Sequence, residues 1–457
     1  MRVVAVGTES VPDRVGAEPS PDASIQRWNP FVRIVFRFCF VYFGLFCLVY
    51  PRIISEFLGL ASRLLPDSAP FWLARLWSPL VEWTGEHVFG TDAAAHEDSI
   101  SGDQTFLWVL LFCILIVAVV ATVIWTVLDR RRPNYAALSS WFLLFVRLCL
   151  AVEMLVYGLS KVIPNQMPSP ALARLLEPYG DFSPMAVLWS QVGVSQPYEI
   201  LLGTAEVLGG LLLFLPRTTT VGALLSLVCT TQVFVLNMTY DVPAKILAFH
   251  LMLLCTMLLA PEARRLANVL VLDRPADRST RRPLLRTARG NRIAVGLQAA
   301  LGIWLLVSGV YSSLDAYRDH GAGSKEPPLY GIWTVAEFSL DGQQVPALVT
   351  DENRWQRVVF DRQNATVQRM DGTLVPVIAI VDASAHTIAM VLLPTAPGAQ
   401  PTPLGAFTFD QPAPDRLAMA GQLNGRSVSI ALQQVDLDAF PLRGRGFHWV
   451  QEYPYFR

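Results

Sequence analysis

Two kinds of hydrophobic pattern divide this chain. Over its first part, apolar runs near the ~20 residues needed to cross a bilayer lie at about 32–50, 105–128, 138–160, 198–215, 218–237, 244–260 and 292–313. The run at 106–128 carries no charge, whereas Arg33 and Arg37 interrupt the first one and must snorkel or face other helices. Past Tyr311, Gly and Pro punctuate short alternating or apolar runs at 332–338, 357–360, 375–381, 387–393 and 427–432. Period-two segments of this kind indicate antiparallel strands. Asp341-Gly342, Asp371-Gly372 and Asn424-Gly425 supply hairpin turns between them. The predicted fold class is a membrane all-α bundle of about seven transmembrane helices followed by a C-terminal all-β barrel or sandwich.

The pattern suggests six units. A polar, Pro/Ser-rich, disordered cytosolic tail (1–28) precedes two helices joined by an interfacial loop (29–137), a four-helix module (138–262), a basic cytosolic loop (263–291), a seventh helix (292–314) and the β domain (325–457). In the loop after the first helix, Phe71, Trp72, Trp77 and Trp83 suit the membrane–water interface. Eighteen Lys and Arg residues fall on the side of the N-terminus, nine of them between Arg264 and Arg292, and six fall on the other side. The positive-inside rule then puts the N-terminus in the cytosol and the β domain outside, with a bacterial cytoplasmic (inner) membrane as the expected location.

Composition narrows the chemistry. The chain is 53% hydrophobic and 16% charged with a net charge of −1, so it has no basic field for nucleic acid. Its six cysteines lie in apolar runs without a CxxC pair, which disfavours thiol–disulfide chemistry and an iron–sulfur cluster. Haem held by two histidines would need two within the helices, and only His250 is there. His87 and His96-Glu97-Asp98 match no metal spacing, so no metal site is expected. Phosphate-loop, dinucleotide, GxSxG and HExxH motifs are missing.

Charges inside apolar helices are expensive and mark function by default. Arg147, Glu153, Tyr157 and Lys161 share an arc of about 120° on one helix. Glu199 and Glu206 sit seven residues apart on the next, with Gly203 and Gly210 on the same side. Asn237, Tyr240, Asp241 and Lys245 lie around the following connection, with Pro243 suited to a first helical turn and His250 further on. Counted inward from the outer surface, these groups meet at one level, with Arg147 deeper. They form either an outward-opening polar pocket with Lys161, Glu206 and His250 as catalytic candidates, or structural ion pairs that fix helix register. His250 by itself also reads as a hydrogen-bonded core residue.

With those residues in view, 140–262 resembles a DoxX-like four-helix membrane module. The resemblance rests on the run from Arg147 through Glu153, Tyr157 and Gly158 to Lys161, on Glu206 with Gly209, Gly210 and Arg217, and on 237–250. The ending RGFHWVQEYPYFR is similar to the close of longer DoxX-like proteins that carry a soluble domain. The resemblance implies an integral membrane protein, often linked to quinone-dependent sulfur oxidation or redox stress, and supplies no agreed catalytic residues. Two functions compete. One is a redox protein whose pocket takes a quinone or similar amphiphile and which works with an extracytoplasmic or membrane redox partner. The other is a non-enzymatic anchor or scaffold that presents the β domain to an extracytoplasmic partner. The aromatic ending is expected to close the β domain or dock on the outer helix ends.

Overall fold

The computed structural model describes residues 27–456 except 67, 276–282, 320, 322 and 394–399. The expected disordered tail thus lies outside the described residues, apart from its last two. Seven helices are long and apolar enough to span a membrane: α1 Pro30–Val49, α2 Thr105–Leu128, α3 Ala136–Val162, α4 Gln196–Phe214, α5 Thr219–Thr239, α6 Lys245–Leu259 and α7 Ala288–Asp319. A short continuation, Ala263–Leu270, extends the sixth span into the expected basic loop. On α2 the exposed Ile116, Val119, Val120, Val123, Ile124 and Val127 recur at helical spacing, a face built for lipid.

Local chemistry sets the helix ends. Asn29 caps α1 by accepting from the Phe31 amide, with Pro30 at the first helical position. Helix α6 has no cap of its own. Asp103, just ahead of α2, accepts from the Lys245 and Ile246 amides at 2.9 Å each. Pro243 lies just ahead of α6 rather than in its first turn, because the chain makes a tight turn there, with the Ala244 amide bonded to Val242 O. Arg37 faces other helices, as one of the two expected options: Tyr135, Thr126 and the Asp129 carbonyl bind its guanidinium at the end of the bundle remote from the β domain.

Helices α3 and α4 touch backbone to backbone. A Cβ on Gly203 would stand 2.5 Å from Gly158 O, and one on Gly158 would stand 2.7 Å from Val207 N. Glycine alone lets the two helices come this close. Helix α3 is the most buried of the seven spans, so this seam lies at the centre of the bundle.

The C-terminal domain is a closed antiparallel barrel. Strands β1 Gly331–Leu340, β2 Gln343–Gln344, β3 Trp355–Phe360, β4 Ala365–Arg369, β5 Leu374–Asp382, β6 Thr387–Leu392, β7 Thr402–Ala413, β8 Arg416–Leu423 and β9 Arg426–Gln434 follow one another as neighbours. Pairing of β1 with β9 closes the ring, and the two-residue β2 stands outside it. Asp341-Gly342 and Asn424-Gly425 take positive φ at both positions, as type I′ hairpins require. Trp333, Phe338, Trp355, Phe407, Met419 and Ile430 fill the interior with their neighbours. Trp333 is buried and donates its indole N–H to Leu329 O at 2.8 Å.

The connection between α3 and α4 seats the barrel. The Leu172 amide donates to Asp361 Oδ2 at 2.6 Å, and Leu172, Ile332 and Val359 form a buried cluster flanked by Leu175, Tyr330 and Phe440. The aromatic ending neither closes the barrel nor packs on the helices: Phe447, Trp449, Val450, Tyr453 and Phe456 are all exposed. Its polar contacts are local, with Arg445 bonded to Gln451 and stacked on Tyr455. Replacing Leu172 and Asp361 together with Ala removes both the apolar contact and the hydrogen bond of the seat. A buried Leu→Ala change costs about 2–5 kcal/mol, so limited proteolysis should cut the 163–182 connection faster while amide exchange of the barrel strands stays unchanged.

Candidate functional site

Across the glycine seam, Lys161 Nζ donates to Glu206 Oε2 at 2.6 Å, with both side chains almost wholly buried. The same ammonium lies 3.4 Å from Tyr157 O and 5.9 Å from the Tyr157 ring. Placement follows from helix geometry: Lys161 ends α3 and reaches inward, while Glu206 lies ten residues into α4, level with the close approach. In a medium that cannot hydrate either ion, each is the other's solvent.

The remaining candidates divide into separate groups. Glu199 accepts from the Met167 amide at 2.9 Å and so pins the start of the α3–α4 connection, while its Oε2 has no hydrogen-bond partner. His250 is saturated. Because the Ile246 carbonyl can only accept, Nδ1 carries the proton and donates to it at 2.8 Å, which leaves Nε2 to accept from the Tyr42 hydroxyl at 2.9 Å. The ring also stacks on Phe46 at 4.1 Å. Asn237 donates to Ala244 O and braces the α5–α6 turn. Lys245 bridges Asp241 at 2.9 Å and Asp103 at 3.6 Å on the surface of that turn, and Tyr240 lies beside it, half-buried. Arg147 binds Thr219 Oγ1 at 2.9 Å and Gln298 Oε1, tying α3 to α5 and α7 in the half of the bundle remote from the barrel.

Glu153 stands apart from all of these. It is buried, its Oε1 has no hydrogen-bond partner, and the charges acting on it are Glu56 and Arg52 from the connection after α1. Just beyond the end of α1, burial pushes the Tyr50 phenol well up, with Tyr157, Asp103 and Glu153 acting the same way and Arg52 opposing. The Tyr50 hydroxyl donates to Gly102 O at 3.2 Å. Burial likewise raises Glu56 against the pull of Arg52.

Sequence reasoning missed Tyr42, Arg52, Glu56, Asp103, Thr219, Gln298 and Ser308. Gln298 and Ser308 were visible as polar residues inside an apolar span. Asp103 and Glu56 carried no such mark, since they lie in connections where charge is ordinary. Among the described residues, no three His, Cys, Asp or Glu side chains are grouped to hold a metal.

The DoxX family model matches residues 142–238, which run through most of α3, all of α4 and nearly all of α5. The chain carries a DoxX domain. That domain contains the glycine seam, the Lys161–Glu206 pair and the barrel's seat at Leu172. It ends before Lys245 and His250. The chain is similar to the "Uncharacterized protein YwoB" of Bacillus subtilis (strain 168), at 28% identity over 132 residues, 27% of this chain and 78% of that protein. No solved structure matches it significantly. With seven spans and a DoxX domain, the chain is a multi-pass membrane protein.

Charge pairing across the seam has a direct consequence for substitution. Lys161→Met alone strands a buried carboxylate and should cost about 3–5 kcal/mol, whereas Lys161→Met with Glu206→Leu should be close to neutral. Unfolding midpoints of the three proteins in one detergent check this ordering.

Proposed function

We propose that this chain is a membrane scaffold that holds its β-barrel at the extracytoplasmic face of a bacterial cytoplasmic membrane for an extracytoplasmic protein partner. The observation that carries this reading is the engagement of all three catalytic candidates. Lys161 and Glu206 neutralise each other, and His250 spends both ring nitrogens on Tyr42 and Ile246. Groups committed in this way hold helices in register.

A second reading keeps the redox role, with a quinone as the bound amphiphile. Its support is Glu153, whose free oxygen lies on the same helix face as Tyr157 and would meet a headgroup carbonyl or its reduced hydroxyl. One experiment separates the two. The Lys161→Met/Glu206→Leu protein, shown to be folded, is tested for rescue of a strain lacking the gene, beside a variant truncated after Asp319. Scaffolding expects full rescue by the first and none by the second. Co-purified quinone, together with loss of rescue in the folded double variant, would establish the redox role instead.

A further inference from the structure

At the barrel end of the bundle, a small cavity of about 120 Å³ opens between the 3-10 helix Ser55–Leu64, α3 and α7. Its polar lining is Glu56, Ser62, Ser308, Ser312 and Ser313, and Gly59 and Gly309 complete the wall among apolar neighbours. That is room for several water-sized groups. Three observations show that it is built to receive something. Ser308 is 1% exposed and its Oγ has no hydrogen-bond partner. A Cβ on Gly59 would stand 2.6 Å from that Oγ, and Gly59 has φ 54° and ψ −128°, a backbone that a side chain would strain. The lining also carries a carboxylate, Glu56, whose Arg52 partner lies 3.5 Å from Oε1 with its side chain 67% exposed to solvent.

We infer that this cavity binds the primary ammonium of a lipid headgroup, of the phosphatidylethanolamine type. An ammonium offers Glu56 a buried positive partner, and its three N–H groups match that carboxylate and the serine hydroxyls, all able to accept. The lipid source follows from the surroundings. Leu58 and Leu64 on the 3-10 helix, and Trp304, Val307 and Tyr311 on α7, are exposed on two of the elements that wall the cavity, and give acyl chains an apolar surface to lie on. A quaternary choline has no N–H to donate and is too bulky to approach the hydroxyls closely. The inference stands apart from the scaffolding proposal, because no atom of the Lys161–Glu206 pair takes part.

The test uses the full chain in detergent, exchanged into mixtures of phosphatidylethanolamine, its N,N-dimethyl form, phosphatidylcholine and phosphatidylglycerol, and read by native mass spectrometry and unfolding midpoint. A charge-assisted hydrogen bond in this setting predicts a preference of about tenfold or more for the primary amine over choline. Glu56→Gln should abolish that preference and Ser308→Ala should weaken it, with both variants keeping the wild-type midpoint in phosphatidylcholine. Free ethanolamine at matched concentration should fail to protect. If it protects as well as the lipid does, the lipid source is overturned. Equal retention of ethanolamine and choline lipids, or an undiminished preference in folded Glu56→Gln, overturns the inference. A folded wild type that retains no lipid selectively overturns it as well.

Discussion

The contact between Lys161 and Glu206 is the constraint around which the membrane part is organised. Neither ion could exist alone at that depth, so α3 and α4 must lie close enough for the two to meet. Gly158 and Gly203 make this possible by removing the side chains that would keep the backbones apart. Charge and packing therefore specify the same register, and a slip of one helical turn would break both. Such doubly fixed seams favour one arrangement over many, which a lipid solvent, lacking a hydrophobic drive between helices, does not do by itself.

Other buried polar groups follow a similar rule at smaller scale. Arg147 with Gln298, His250 with Tyr42, and Asp103 with the start of α6 each join segments far apart in sequence. Their partners come from helices and connections on every side of the DoxX domain. Of these groups only Arg147 belongs to the DoxX domain, and Gln298 of α7 supplies it with an acceptor from outside that domain.

Much of this architecture was legible in the sequence, and the misses have physical causes. The spans announce themselves because a bilayer demands about 20 apolar residues in a row. Strand β1 alternates from Trp333 to Val335 and changes phase at the bulge between Val335 and Glu337, while β8 shows no contrast between its faces: its outward positions include Ala418 and Ala420 beside the inward Leu417 and Met419, so both read as apolar. Strand β7 is obscured by Pro403 and Gly405. Helix periodicity placed Lys161 and Glu206 toward their neighbours but could not say that they meet. Depth counting grouped His250 and Lys245 with them, yet depth is one coordinate of three. Azimuth around the bundle separates these residues, and only tertiary packing fixes it.

The barrel's seat has a mechanical consequence. Leu172 sits on the connection whose two roots are the ends of α3 and α4, the pair of helices locked together at the seam. A second tether, the end of α7, joins the barrel from beside α3, where Asn165 donates to Ser313 O at 2.8 Å. The domain therefore stands like a tabletop on two legs. Any event within the lipid that altered the spacing of α3 and α4 relative to α7 would tilt it, carrying a displacement of membrane helices outward to a surface that water-borne molecules can reach.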